Sequence, residues 1–164
     1  MTIQLIAFTS ALPIFQFIAL FLLLLVAGIF WGLWVSISRS YEVFSIAELN
    51  HIAKTIAKNL ALPMRLISIS CVVCMGLSAW FYPEKESKGF FFNIASIVFI
   101  LTALVITILI ELPIANQIIA WTPSTAPANW GDIRNRWKFH NIIRTFMALL
   151  SFGFFAASIF KTFK

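Results

Sequence analysis

The polar residues that could carry out chemistry are concentrated in one stretch of an otherwise apolar chain, residues 111–144. Glu111 ends one long apolar run, while His140 and Arg144 lead into the next. Between them lie an asparagine, three tryptophans and further basic residues, namely Asn116, Trp121, Trp130, Arg134, Arg136, Trp137 and Lys138. Acids and histidines exchange protons, arginines bind anions, and indole rings stack on flat molecules. This stretch is therefore the candidate site, although it does not name a substrate.

Helical spacing brings several of these side chains together. Arg136, His140 and Arg144 are four residues apart and share one face of a helix. Trp130, Trp137 and Arg144 are seven residues apart and form an adjacent stripe. The spacing therefore delivers a histidine and two arginines, flanked by tryptophan rings, to the membrane boundary.

Two interpretations of this cluster are open. One is an aromatic belt with arginines that extend to the lipid headgroups. The other is an inward-facing cluster with Glu111, whose carboxylate at the end of an apolar helix meets the negative end of the helix dipole and needs a cationic partner. We favour the inward cluster, because Arg144 and His140 lie towards the apolar continuation of the chain.

Composition identifies the class of protein. The chain of 164 residues is 61% hydrophobic and 11% charged, with a mean hydropathy of +0.95, whereas soluble domains carry about 25% charged residues. This is the composition of an integral membrane protein, whose partners include membrane lipids. The net charge of +6 reports topology and contact with anionic headgroups rather than nucleic-acid binding.

The chain divides into four apolar spans within one membrane domain, residues 1–164. About 20 apolar residues cross a bilayer, which predicts transmembrane helices over residues 14–38, 63–82, 90–112 and 138–160. Ser45 and Glu48 have the spacing of a capping box and begin a short amphipathic helix, residues 46–59. Pro63 opens the second span, and a polar loop rich in tryptophan and arginine covers residues 113–137. The predicted fold is an all-α bundle of four transmembrane helices, with the amphipathic helix between helices one and two.

Smaller motifs have both a structural and a functional interpretation. His51 is either a solvated histidine or a ligand contact. Cys71 and Cys74 are spaced like a redox pair but lie in mid-helix with no other cysteine to relay electrons, so we interpret them as two buried thiols. Gly28 and Gly32 form a GxxxG motif that favours close helix contact, within the chain or in a homo-oligomer.

Basic residues set the expected orientation. Of the 12 basic residues, the following lie at the end of the bundle that holds residues 39–65 and 113–144: Arg39, Lys54, Lys58, Arg65, Arg134, Arg136, Lys138 and Arg144. The positive-inside rule places these loops in the cytoplasm and both termini outside. We expect the membrane to be a bacterial plasma membrane.

The candidate stretch resembles the C-terminal half of the DUF1772 family, which includes the anthrone oxygenase-like membrane proteins. The resemblance lies in a Pro-x-x-Asn followed by a tryptophan, and then a tryptophan- and arginine-rich helix. The matching positions are Pro113, Asn116, Trp121, Trp130, Arg134, Arg136, Trp137 and Arg144. His140 follows Trp137 by three residues, where the family pattern has four. The first half matches in layout alone.

The resemblance implies a four-helix membrane protein that oxidises a flat aromatic, polyketide-like substrate with O₂ and without a cofactor. His140 would be the base, with Glu111 orienting His140 or Arg144. Arg144 and Asn116 would stabilise an enolate oxyanion. The substrate would be bound by Trp121, Trp130, Trp137, Arg136 and His51.

Two further classes of function stay open. The chain could bind haem, or a metal with the help of Glu111, through its only histidines, His51 and His140. It could also be a non-catalytic protein that binds a lipid or quinone, or a subunit of a larger assembly. Aromatic clusters and a basic surface are compatible with each of these.

Overall fold

The protein folds as a bundle of long helices in this computed structural model, which describes the backbone of residues 2–162 and the side chains of residues 11–161. The helices are α1 (Thr2–Ser36), α2 (Ile46–Trp80), α3 (Lys88–Ile106), α4 (Leu112–Ala120) and α5 (Trp130–Thr162). A 3₁₀ turn, Ser38–Val43, follows α1, and a π-helical turn, Thr107–Glu111, joins α3 to α4. No strand occurs in the described part of the chain.

Within the described residues, four stretches are long and apolar enough to cross a membrane. They are Ala11–Val43, Ile46–Trp80, Lys88–Ala120 and Trp130–Lys161. Large apolar side chains such as Phe17, Phe91 and Leu109 point outwards, where lipid rather than water would surround them. The chain is an integral membrane protein with the four-helix, all-α architecture that its composition predicts.

The segment predicted as a separate amphipathic helix forms the first turns of α2. Its start is as predicted, because the Ser45 hydroxyl accepts from the Glu48 N–H and the Glu48 carboxylate accepts from the Ser45 N–H. The helix then continues through Pro63 to Trp80. A proline removes one backbone hydrogen bond, and the alanine, leucine and lysine residues before it favour helix. At about 50 Å, α2 exceeds the hydrocarbon thickness of roughly 30 Å, so it tilts or projects into the headgroup region.

Most of the predicted polar loop, residues 113–137, is also helical. Pro113 lies in the first turn of α4, where a missing N–H costs little, and the helix continues to Ala120. The connecting loop is therefore reduced to residues 121–129, and α5 begins at Trp130. The third and fourth spans are longer than the sequence suggested.

The π-helical turn places the acid. The Leu112 N–H donates to the Thr107 carbonyl, five residues back instead of four. One extra residue in the turn rotates everything after it. Glu111, the last residue of the turn, is buried.

Interhelical hydrogen bonds hold the middle of the bundle. The Asn93 amide on α3 donates to the Ser78 hydroxyl on α2 over 2.9 Å, and the Ser151 hydroxyl on α5 donates to the Ser96 carbonyl on α3 over 2.8 Å. All four side chains are buried. In a membrane, such bonds contribute about 0.6–2 kcal/mol each to helix association. They fix the positions of the helices around the site.

The GxxxG motif of α1 does not take part in this packing. A Cβ added at Gly28 or Gly32 would meet no other side chain and no neighbouring helix within 4 Å in the described part of the chain. Both glycines are exposed. A contact between copies of the chain at this face stays a prediction.

Gly89→Ala should destabilise the protein. A methyl group at Gly89 would overlap the Tyr82 hydroxyl and lie 3.1 Å from Cβ of Lys161, and overpacking of this kind costs about 1–3 kcal/mol. Thermal unfolding in mild detergent measures the loss. Gly76→Ala is the control, because a methyl group there meets nothing within 4 Å and alanine favours helix by about 1 kcal/mol. An unchanged midpoint for Gly89→Ala would contradict this account of the packing between α3 and α5.

Candidate functional site

A buried ion pair lies at the centre of the candidate site. Nη1 of Arg144 on α5 is 3.4 Å from Oε2 of Glu111, and the two side chains are 9% and 5% exposed. The indole N–H of Trp137 donates to the same Glu111 oxygen over 2.8 Å. Trp137 and Arg144 are two helical turns apart on α5, so they reach the carboxylate from one helix face.

Aromatic rings enclose this pair on two sides. The Tyr41 ring, from the turn after α1, stacks on Trp137 with ring centroids 4.9 Å apart. The Arg144 guanidinium lies over the Phe30 ring of α1, 4.3 Å from its centroid. A cation over an aromatic face is attracted to the ring quadrupole, and more strongly away from water. The Phe30 ring therefore helps to compensate the burial of the Arg144 charge, while Tyr41 holds Trp137 in place.

A second polar layer joins α1 to α5 next to the ion pair. The Asn141 amide donates to the Ser38 hydroxyl over 2.8 Å. The Thr145 hydroxyl donates to the Asn141 carbonyl over 2.7 Å and lies 3.3 Å from the Phe30 carbonyl. These buried contacts fix the rotation of α5, and thereby the direction in which Arg144 points.

An apolar cavity lies against the ion pair. Its polar wall consists of Tyr41, Glu111, Trp137, Asn141 and Arg144, and the remaining wall is apolar, with Leu33, Ile56 and Leu60 among its residues. The space that the centre of a water molecule can reach is about 160 Å³, roughly ten times what one water needs. This is room for a small organic molecule.

Two charged atoms of the wall lack hydrogen-bond partners among the described residues. They are Oε1 of Glu111 and Nε of Arg144, and both are buried. A buried polar group without a partner costs about 1–3 kcal/mol, and more when it is charged. A ligand that offers both a donor and an acceptor would satisfy the two atoms together.

Several residues predicted for the site do not line this cavity. Nδ1 of His140 is 2.8 Å from the Arg136 carbonyl of the same helix. Arg136, Asn116 and His51 are exposed. His51 borders a shallow surface depression beside Phe44 instead. Arg144 lines the cavity, whereas His140, one helical turn earlier on α5, does not.

Of the three tryptophans, Trp137 alone lines the cavity. The Arg134 guanidinium lies over the Trp130 ring, 5.1 Å from the ring centroid. Trp121 packs against the cluster of buried residues around Tyr41 and Ile118. Trp121 and Trp130 therefore support the loop between α4 and α5.

Asn50 on α2 fixes the end of α4. Its amide nitrogen lies 2.7–2.9 Å from the carbonyls of Ile118, Ile119 and Trp121, where α4 ends and its last carbonyls lose their partners within the helix. This contact holds the end of α4 against α2. No signal in the sequence predicted it, because Asn50 is part of an ordinary polar helix face.

Other contributors were also missed. Asn141 could have been found, since it lies four residues after Trp137 and three before Arg144 on the same helix face. Tyr41 and Phe30 could not, because their contacts with Trp137 and Arg144 depend on how α1 packs against α5.

Metal-binding residues are not grouped in the described part of the chain. No three side chains of the histidine, cysteine, aspartate and glutamate types come together there. Cys71 is buried and Cys74 half-buried, and both are free thiols. The Cys71 sulfur lies 3.8 Å from the Ala19 carbonyl, as expected for a thiol packed in a membrane helix.

Comparison with known proteins gives one match. A family model described as anthrone oxygenase matches residues 53–154. No curated protein and no solved structure matches the chain.

Arg144→Leu should destabilise the protein by about 3–5 kcal/mol, because it leaves the Glu111 carboxylate buried without its cation. The double variant Glu111→Leu/Arg144→Leu should recover part of this loss, since an apolar pair needs no charge compensation, while the Trp137 N–H loses its acceptor. Unfolding in detergent measures the stability of the single and the double variant. Lys138→Leu is the control, because its partner Glu42 is largely exposed, and it should change stability little. A double variant less stable than the single one would contradict the role of an uncompensated charge.

Proposed function

The chain belongs to the anthrone oxygenase family, and from this premise we propose that it oxidises a flat, enolisable aromatic compound with O₂ in the cavity beside Glu111 and Arg144. The matched residues, 53–154, include Glu111, Trp137 and Arg144. One observation carries the proposal. A buried acid and a buried arginine, each with an unpaired atom, form the polar wall of an otherwise apolar cavity.

The proposed reaction converts a CH₂ group between two aromatic rings into a carbonyl. A base removes one proton, and the resulting carbanion delocalises its charge onto the carbonyl oxygen of the ring as an enolate. The carbanion carbon bonds to O₂, and a returning proton gives a hydroperoxide. Loss of the second C–H proton then cleaves the O–O bond. One O₂ is consumed, one oxygen becomes the carbonyl, and the other leaves as water, so no metal or flavin is required.

In this proposal, Glu111 is the base. Its Oε2 is held by Trp137 and faces Arg144, whereas Oε1 has no partner in the described part of the chain. A carboxylate in an apolar site, with one oxygen fixed, is positioned for proton transfer. Arg144 would stabilise the enolate oxygen, since its guanidinium also lines the cavity.

The aromatic wall fits the same class of substrate. Tyr41 and Trp137 form a stacked pair at the cavity wall, and stacked or edge contacts with a further ring add about 0.5–1.5 kcal/mol beyond burial. The remaining wall is aliphatic and suits the apolar edges of a polycyclic molecule. His140, the base that the resemblance implies, would need a different bound position to reach the same ring.

Glu111→Gln should lower kcat for the parent compound anthrone by about 10²–10⁴-fold, because it removes the base while keeping an acceptor for the Trp137 N–H. Oxygen uptake by the purified protein in mild detergent measures this. His140→Ala is the matched comparison and should stay within a few-fold of the wild type, since His140 does not line the cavity. Thermal unfolding of each variant separates a catalytic loss from misfolding.

The reverse result, with His140→Ala inactive and Glu111→Gln active, would make His140 the base and refute the role of Glu111. A wild-type protein that takes up no oxygen with anthrone would favour a non-catalytic lipid or quinone binder.

An absorption spectrum and metal analysis of the same preparation test the cofactor-free mechanism. A haem band or stoichiometric metal would overturn it and direct mutagenesis to His51 and His140.

We also propose that the site end of the bundle faces the cytoplasm, with both termini outside. The support is the excess of basic residues at that end, among them Arg39, Arg134 and Lys138. A cysteine at exposed Ser124 should react with a membrane-impermeant maleimide in inside-out vesicles and stay unmodified in right-side-out vesicles. The opposite pattern would invert the topology.

A further inference from the structure

A membrane-facing groove separates α2 from α3. The centre of a water molecule can reach about 570 Å³ of it, which is more space than the cavity beside the ion pair offers. We call it the α2–α3 groove. Its wall includes Ser68, Ile69 and Val73 from α2 and Leu101, Leu104 and Ile108 from the α3 side. Arg65 also borders it.

The groove adjoins the cavity. Five residues line both spaces, namely Phe30, Ala61, Met64, Thr107 and Leu112. A flexible methionine, which can change rotamer at low cost, and a small alanine thus lie between the two spaces. Phe30 also contacts the Arg144 guanidinium, so a molecule that passes Phe30 arrives at the ion pair.

The groove faces the region that lipid occupies. Ile69, Val73 and Ile108 are more than half exposed, and they lie on helices that cross the membrane. The side of the cavity that adjoins the groove is therefore the side towards lipid.

We propose that the α2–α3 groove is the route by which a flat, lipid-dissolved aromatic molecule passes from the bilayer into the cavity. The inference rests on the proposed function for the class of ligand. A lipid acyl chain is a poorer occupant of the cavity, because it offers nothing to Oε1 of Glu111 or Nε of Arg144. A ring carbonyl can accept from Nε of Arg144, and a ring hydroxyl can donate to Oε1 of Glu111. An oxygenated ring can therefore pass along the apolar path and then bind the polar wall.

The test follows the binding of radiolabelled anthraquinone, which lacks the CH₂ group and cannot be oxidised in this way, to the full-length protein in liposomes. Ile69→Trp narrows the groove and should slow both association and dissociation about tenfold with little change in Kd, because it obstructs the route without altering the cavity. Leu66→Trp is the matched control. Leu66 lies one turn away on α2, is equally exposed at 58%, and lines neither space.

A second pair tests the opposite wall. Ile108→Trp changes a position that lines the groove and should slow the exchange of anthraquinone, that is, its association and dissociation. Val105→Trp changes an exposed position outside the groove and should leave both rates unchanged. Wild-type exchange rates in both groove variants would overturn the proposal, as would a wild-type protein that binds no anthraquinone. The outcome is independent of turnover. Slowed binding without oxygen uptake on anthrone would refute the reaction alone, and oxygen uptake with unchanged exchange would refute the route alone.

Discussion

Burial of the Glu111 carboxylate is the constraint on which one end of this bundle depends. Moving an ion out of water costs several kcal/mol even after the protein relaxes, and a single cation at 3.4 Å offsets only part of that cost. The indole N–H of Trp137 and the Phe30 ring beneath Arg144 supply further compensation. Oε1 of Glu111 and Nε of Arg144 still lack hydrogen-bond partners among the residues that the structure describes. Such an arrangement is poor for stability and well suited to binding, which is the usual balance at a functional site.

The bundle has two regions with different packing. The larger cluster, around Leu23, Met75 and Phe155, is apolar and close-packed at the centre of the spans. The smaller cluster, around Tyr41 and Trp137, borders the site.

The match to the family begins at residue 53, so the acid and the arginine come from the matched region, whereas Phe30 and Tyr41 come from the segment before it. The cavity wall therefore includes residues outside the matched region.

The sequence predicted the features that depend on composition and local spacing. Hydropathy predicted four membrane-crossing helices, and the Ser45–Glu48 capping box predicted the start of α2. The dipole argument on Glu111 predicted a buried cationic partner, and spacing on α5 placed Arg144 within reach. Sequence reasoning did not predict the features that depend on packing. Pro63 does not open a new helix, because α2 runs through it from Ile46 to Trp80. His140 shares a helix face with Arg144 in the spacing argument, yet it lies outside the cavity, because one face of a helix is wider than one site.

The direction of the Glu111 side chain depends on the π-helical turn Thr107–Glu111, because this turn changes the phase of the helix. In a regular α-helix each residue turns the chain by about 100°, so the extra residue in this turn sets where Glu111 points and, with it, the register of the whole of α4. If the same residues formed a regular α-helix, every side chain of the site would remain in the sequence, yet Glu111 would be rotated by about 100° relative to its present direction. The position of the acid thus depends on helical phase as much as on residue identity.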